Sequence, residues 1–118
     1  MTLEDRHCVP YRGGVAPLDA EAATRLLAET PGWALIHDAN RIERRVATRD
    51  FARALALVDR IGALAEAEGH HPDIAFGWGY CRIELYTHKI KGLHENDFIL
   101  AAKINALVDD MCSDHGPS

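Results

Sequence analysis

One long helical run bracketed by two pairs of alternating runs is the feature that most limits how this chain can fold. Residues 51 to 68 read F-A-R-A-L-A-L-V-D-R-I-G-A-L-A-E-A-E. Phe51, Ala54, Leu55, Val58, Ile61, Gly62 and Ala65 recur on one side at helical spacing, and Leu57 and Leu64 widen the stripe. Asp50 is placed to cap this helix, and Gly69 to end it, because glycine enters positive φ without a Cβ clash. Before it, W-A-L-I-H and R-I-E-R-R-V-A-T alternate across a D-A-N turn signal. Trp33 and Leu35 share a face of the first run, and Ile42 and Val46 a face of the second. After it, I-A-F-G-W and Y-C-R-I-E-L-Y-T-H flank a turn near Gly77 to Gly79. Cys81, Ile83, Leu85 and Thr87 share one face there, and Tyr80, Arg82, Glu84, Tyr86 and His88 the other. Each pair reads as an antiparallel hairpin with one face buried.

Two further helices complete the order. The stretch L-D-A-E-A-A-T-R-L-L-A-E carries Asp19 as a cap and an apolar side of Ala22, Ala23, Leu26 and Leu27, and Thr30-Pro31-Gly32 stops it. The last helix is expected from about Glu95 to Met111, with Leu100, Ile104, Leu107, Val108 and Met111 as its buried stripe. The fold class is therefore α+β, in the order α-β-β-α-β-β-α, with a four-stranded antiparallel sheet and helices packed on one face. The α-β-β unit occurs twice without a sequence repeat, and no linker or low-complexity stretch divides the chain. We expect a single domain over residues 1 to 118, with 1 to 17 as an irregular N-terminal arm and 112 to 118 as a frayed tail.

Composition excludes several function classes. A formal net charge of -5 argues against a general nucleic-acid binder, which would show a basic face. No apolar run approaches the ~18 residues needed to cross a bilayer. The opening M-T-L-E-D-R-H-C lacks the basic start and apolar stretch of a signal peptide, so a cytoplasmic location is expected. Cys8, Cys81 and Cys112 are odd in number and widely spaced, which is neither a disulfide framework nor a zinc pattern. Ser113 and Ser118 are the only serines and lie at the end of the chain, so a serine nucleophile is not expected. There is no P-loop and no G-x-G-x-x-G.

What remains is imidazole chemistry. Of seven histidines, His7 and His115 fall near the ends and His37 near a turn, where a surface side chain is the plain explanation. His70, His71, His88 and His94 fall at element junctions, where a rigid scaffold presents functional groups. No pair has the i, i+4 helical zinc spacing, and neighbouring side chains in extended chain point apart, so no native metal is expected. General acid–base catalysis fits better, since imidazoles titrate near neutral pH when partnered. Carboxylates stand at suitable distances along the chain: Glu66 one helical turn before His70, and Asp97 early in the last helix.

The joint spacing resembles the pterin-4a-carbinolamine dehydratase family. That pattern reads here as Glu66, A-E-G, His70-His71-Pro72, D-I-A-F-G, Trp78, G-Y-C-R-I-E-L-Y-T, His88, K-I-K-G-L-H-E-N and Asp97. Flanking motifs agree: P-G-W before the first strand, D-F opening the central helix, and T-H-x-x-x-G-L-x-x-x-D-F before the last. The resemblance runs from about Leu18 to Val108. Two positions depart from it. Position 94, often Ser or Thr in the family, is histidine, and the arm's C-V-P-Y lacks a second cysteine that some bacterial relatives carry.

The resemblance implies the same α-β-β-α-β-β-α fold and a lyase that needs neither cofactor nor metal. Its substrate would be a 4a-hydroxytetrahydropterin, dehydrated to quinonoid dihydropterin in tetrahydropterin recycling. His70 and His88 would be the acid and base, in either order, with His71 binding or orienting the pterin. Asp97 would hold His88, Glu66 would fix the pocket or the ring, and Thr87 and Trp78 would line the pocket. The resemblance also implies a homodimer or homotetramer. The rival expectation is a non-catalytic interaction or assembly-factor module on the same fold.

Overall fold

The structure is a computed structural model that describes residues 2–9 and 16–113. Helix α1 spans Ala20–Leu27, and the Asp19 carboxylate accepts from the Ala22 N–H at 2.8 Å. Strands β1 (Ala34–Ile36) and β2 (Arg41–Ala47) pair antiparallel around a turn in which His37, Asp38 and Ala39 all have positive φ. Helix α2 is Phe51–Glu68, capped at one end by Asp50, which accepts from the Arg53 N–H, and closed at the other by Gly69 at φ 67°. Strands β3 (Asp73–Gly77) and β4 (Tyr80–Leu85) form the second hairpin, and α3 (Glu95–Ser113) ends the order.

The sheet runs β1-β2-β4-β3, antiparallel throughout. Its central ladder sets Ile42 opposite Leu85 and Val46 opposite Cys81, which places all four on the face the helices cover. Ile61 and Leu57 of α2 and Phe98, Leu100 and Ile104 of α3 fill the space above that face. Trp33 is buried, as its alternation implied, and its indole N–H donates to the Asn105 carboxamide oxygen at 2.8 Å. Arg44 also sits on the helix-covered face, opposite Ile83, and its guanidinium reaches the same oxygen.

The architecture is the one the sequence patterns indicated, with four local corrections. Strand β4 ends at Leu85 rather than at His88. Thr87 instead forms an isolated bridge with Gly92, and His88–Ile90 form a 3-10 turn that Lys91 closes at φ 54°. Strand β3 ends at Gly77, so Trp78 lies in the hairpin turn. Helix α2 buries Ala54, Leu57, Ile61 and Ala65, whereas Phe51 and Leu55 are exposed, so the buried stripe is narrower than the apolar one. Helix α3 continues through Ser113; the rest of the expected tail, 114 to 118, lies outside the described residues, as do 10 to 15 of the arm.

The described part of the arm has structure of its own. Leu3–Asp5 form a 3-10 turn that buries Leu3 in the main core. The chain then runs to Val9 along the start of α3 and the end of α2. Arg6 pairs with Glu95 at 2.7 Å, the Cys8 N–H donates to Glu68 at 2.8 Å, and Asn96 binds the Val9 backbone through both halves of its carboxamide.

Candidate acid–base site

Asp97 organises the site. It is the third residue of α3 and is fully buried. An ionised carboxylate in that position is costly unless donors surround it. Here three do: His70 Nε2–H at 2.5 Å on Oδ1, and the Thr87 hydroxyl at 2.9 Å and the His94 backbone N–H at 3.0 Å on Oδ2. These donors come from the end of α2, the segment after β4 and the entry to α3. One carboxylate thus ties together three parts of the chain.

Local rules explain how each donor arrives. Gly69 ends α2 in the left-handed conformation, and the N–H groups of Gly69 and His70 both donate to Ala65 O. The chain then leaves the helix axis and delivers the His70 ring toward the N-terminus of α3. Thr87 is held by its backbone bridge to Gly92, which leaves its hydroxyl for Asp97. His94 and Asp97 form a reciprocal cap: the Asp97 side chain accepts from the His94 N–H, and His94 Nδ1 accepts from the Asn96 N–H at 3.0 Å.

A cleft of about 260 Å³ opens beside this hub, lined by Cys8, Val9, Glu68, Gly69, His70, Thr87, His94 and Asn96. Because a carboxylate only accepts, His70 donates its Nε2–H to Asp97, and no protein partner for its Nδ1 is present among the described residues. The buried Asp97 carboxyl thus fixes the orientation of the ring.

The other expected residues are distributed around this cleft in ways the spacing did not specify. His71 and Glu66 pair with each other, His71 Nε2 on Glu66 Oε2, and both are exposed; neither lines the His70 cleft. His88 is exposed and stacks against Tyr86 with ring centroids 4.0 Å apart. It borders a neighbouring open cleft of about 530 Å³ with His37, Asn40, Arg41, Tyr86 and Lys91. Thr87 lines the first cleft, and its chain neighbours Tyr86 and His88 line the second. Asp97 therefore holds His70, not His88 as expected from the resemblance. Trp78 sits 72% exposed at the far end of the β3–β4 hairpin from Asp73, so within one chain it does not join the His70 cleft.

Glu68, Asn96, Cys8 and Val9 line the cleft without having been singled out from the sequence. Burial works against the Glu68 charge, but the Cys8 N–H, His7 and Lys103 more than offset it and hold the carboxyl below its usual value. Burial pushes the Cys8 thiol up to about 12, with Glu68 beside it adding to the effect, so it is no thiolate at neutral pH. Burial alone takes Cys81 to about 11. Among the described residues no group of three or more His, Cys, Asp or Glu is arranged to hold a metal ion, and no helix is long and apolar enough to cross a membrane.

Residues 16–107 match the family model described as pterin 4 alpha carbinolamine dehydratase. A relative in Halorhodospira halophila is 54% identical over 107 residues, covering 91% of this chain and 98% of its own. One in Cupriavidus pinatubonensis is 52% identical over 109 residues, covering 92% and 94%. Both are provisionally named as pterin-4-alpha-carbinolamine dehydratases. A Brucella melitensis structure described as a transcriptional coactivator/pterin dehydratase superposes with a TM-score of 0.73 at 26% identity, covering 77% of this chain and 97% of that one. A pterin dehydratase-like protein identified as a RuBisCO assembly factor in the alpha-carboxysome superposes at 0.56 and 30% identity, covering 64% and 88%.

Proposed function

The chain belongs to the pterin-4-alpha-carbinolamine dehydratase family, and from that premise we propose that it dehydrates a 4a-hydroxytetrahydropterin to the quinonoid dihydropterin and water. The observation that carries the reading is the His70–Asp97 dyad at the cleft. The reaction removes hydroxide from C4a and a proton from N5, so it needs an acid for the leaving oxygen and a base for N5. His70, with its Nε2 proton on Asp97 and its Nδ1 lone pair free, suits the base. His88, in the cleft that Tyr86 also lines, suits the acid, and the substrate would then reach from one cleft into the other past Thr87. His71, next to His70 in the chain and paired with Glu66, would orient the heterocycle. No metal or cofactor enters these steps.

The test is acceleration of the dehydration of chemically prepared 4a-hydroxytetrahydropterin, followed by ultraviolet absorbance. No acceleration over buffer sinks the reading. His70→Ala and His88→Ala should each lower kcat/KM by ~10²–10⁴, far more than His37→Ala; equal effects in all three overturn the assignment. We place the reaction in tetrahydropterin recycling in the cytoplasm.

A homodimer or homotetramer is part of the same proposal. Phe51 and Leu55 on α2 and Trp78 at the hairpin tip are large exposed apolar groups, and β1 and β3 leave two open sheet edges. An assembly of copies would cover them and would offer Trp78 a neighbouring chain's cleft. Light scattering on the purified protein decides between one copy and several. A non-catalytic interaction or assembly role is supported by the neighbours described as a transcriptional coactivator/pterin dehydratase and as a RuBisCO assembly factor, and unaccelerated dehydration would favour it.

A further inference from the structure

We propose that His94 is a substrate-positioning residue, whose Nε2–H donates to an acceptor on the heterocycle bound in the His70 cleft. The inference rests on the dehydratase reading and adds to it a residue at which this chain departs from the family pattern. His94 and His70 line the same cleft of about 260 Å³, whereas His88 borders the next one. The two rings are fixed in opposite senses. His70 donates its Nε2–H to Asp97, and its Nδ1 has no protein partner among the described residues. His94 accepts the Asn96 N–H on Nδ1 at 3.0 Å, so the proton of the neutral ring is on Nε2.

That donor has nowhere else to go. No protein acceptor for His94 Nε2 is present among the described residues, and none of the buried side-chain nitrogens or oxygens described lacks a partner. The Nε2–H is therefore open to the cleft rather than sealed in the protein. Its position is set from both sides, since the His94 N–H also donates to Asp97 at 3.0 Å. The His70 ring and the His94 backbone are thereby tied to one buried carboxylate, and the Asn96 N–H holds the His94 ring. Capping alone does not call for an imidazole, because Ser or Thr would accept the same N–H. What the ring adds is a second polar atom on its far side. A bicyclic pterin, with a carbonyl oxygen and ring nitrogens as acceptors and N5–H as a donor, matches one fixed donor and one fixed acceptor.

The test compares wild type with His94→Ser, which keeps a cap and removes the donor. Dehydration kinetics and the dissociation constant of a 7,8-dihydropterin are both read. We expect KM and the dissociation constant to rise ~3- to 10-fold, the loss of one neutral hydrogen bond, with kcat nearly unchanged. Unchanged binding overturns the proposal. Should His94→Ser fail to fold, long-range proton–nitrogen correlation spectra of the wild type judge it instead. They should report the Nε2–H tautomer and a shift of Nε2 on adding dihydropterin; the other tautomer, or no shift, overturns it. Wild type that binds dihydropterin without accelerating dehydration would cost the catalytic reading alone, and wild type that does neither would overturn both.

Discussion

At the scale of single residues, the site depends on which carboxylate meets which imidazole. Asp97 is buried and accepts three hydrogen bonds, whereas Glu66 is exposed and meets His71 at the surface. The two acids should therefore behave differently. Asp97→Asn presents an amide to His70 in place of an obligate acceptor, which favours the wrong ring tautomer. We expect kcat to fall by ~10²–10⁴ while circular dichroism still reports the native fold. Glu66→Ala removes only an exposed ion pair, worth ~0–1 kcal/mol, so its melting temperature should stay close to wild type while KM for the pterin rises. A large loss of stability in Glu66→Ala would show that the surface pair is structural.

At the scale of elements, helix ends do most of the positioning. Gly69 delivers His70, and Lys91 closes the turn that follows Thr87. A Cβ on Gly69 would meet nothing within 4 Å, so Gly69→Ala is penalised through backbone conformation alone. We expect a cost of ~1 kcal/mol, read as a lower denaturant midpoint at unchanged slope. Asp50→Ala should cost a similar ~1 kcal/mol through the lost cap. The α2 cap and stop were legible because they are local. The end of β4 was not, because alternation continues through Tyr86, Thr87 and His88 while the pairing partner does not. Likewise the Phe51 and Leu55 side of α2 reads as core by periodicity but stays exposed in one chain, although Phe51 meets Phe76 of β3 with ring centroids 5.6 Å apart.

At the scale of the whole molecule, the arm is a wall of the site rather than an appendage. Cys8 and Val9 line the cleft, and Glu68 and Asn96 fasten them. Glu68 sits below its ordinary 4.5 in the folded chain. A carboxyl depressed by folding contributes stability that is fully present above its unfolded value and is lost as pH falls through the folded one. We therefore expect proteolytic cleavage after Arg6 to be slow at neutral pH and, with an acid-active protease, to speed up as the pH falls through the lowered Glu68 value and the arm releases. Glu68→Gln should show faster cleavage already at pH 7 and a flatter pH profile. Identical profiles for the two proteins would show that Glu68 does not hold the arm.

The sequence by itself determined the element order, the faces of the strands, the caps at Asp19, Asp50 and Gly69, and the set of residues from which a site could be drawn. Those follow from periods of 3.6 and 2 and from the conformations that Gly, Pro and Asp favour, all of which act within a few residues. Only the tertiary structure decided that Asp97 holds His70, that His71 turns to Glu66, that His88 faces a neighbouring cleft and that Cys8 and Val9 close the first one. Spacing fixes how far apart two groups are along the chain. Which of them meet depends on the directions the chain takes after Gly69 and Lys91, and on the buried carboxylate that must find donors wherever the packed elements bring them.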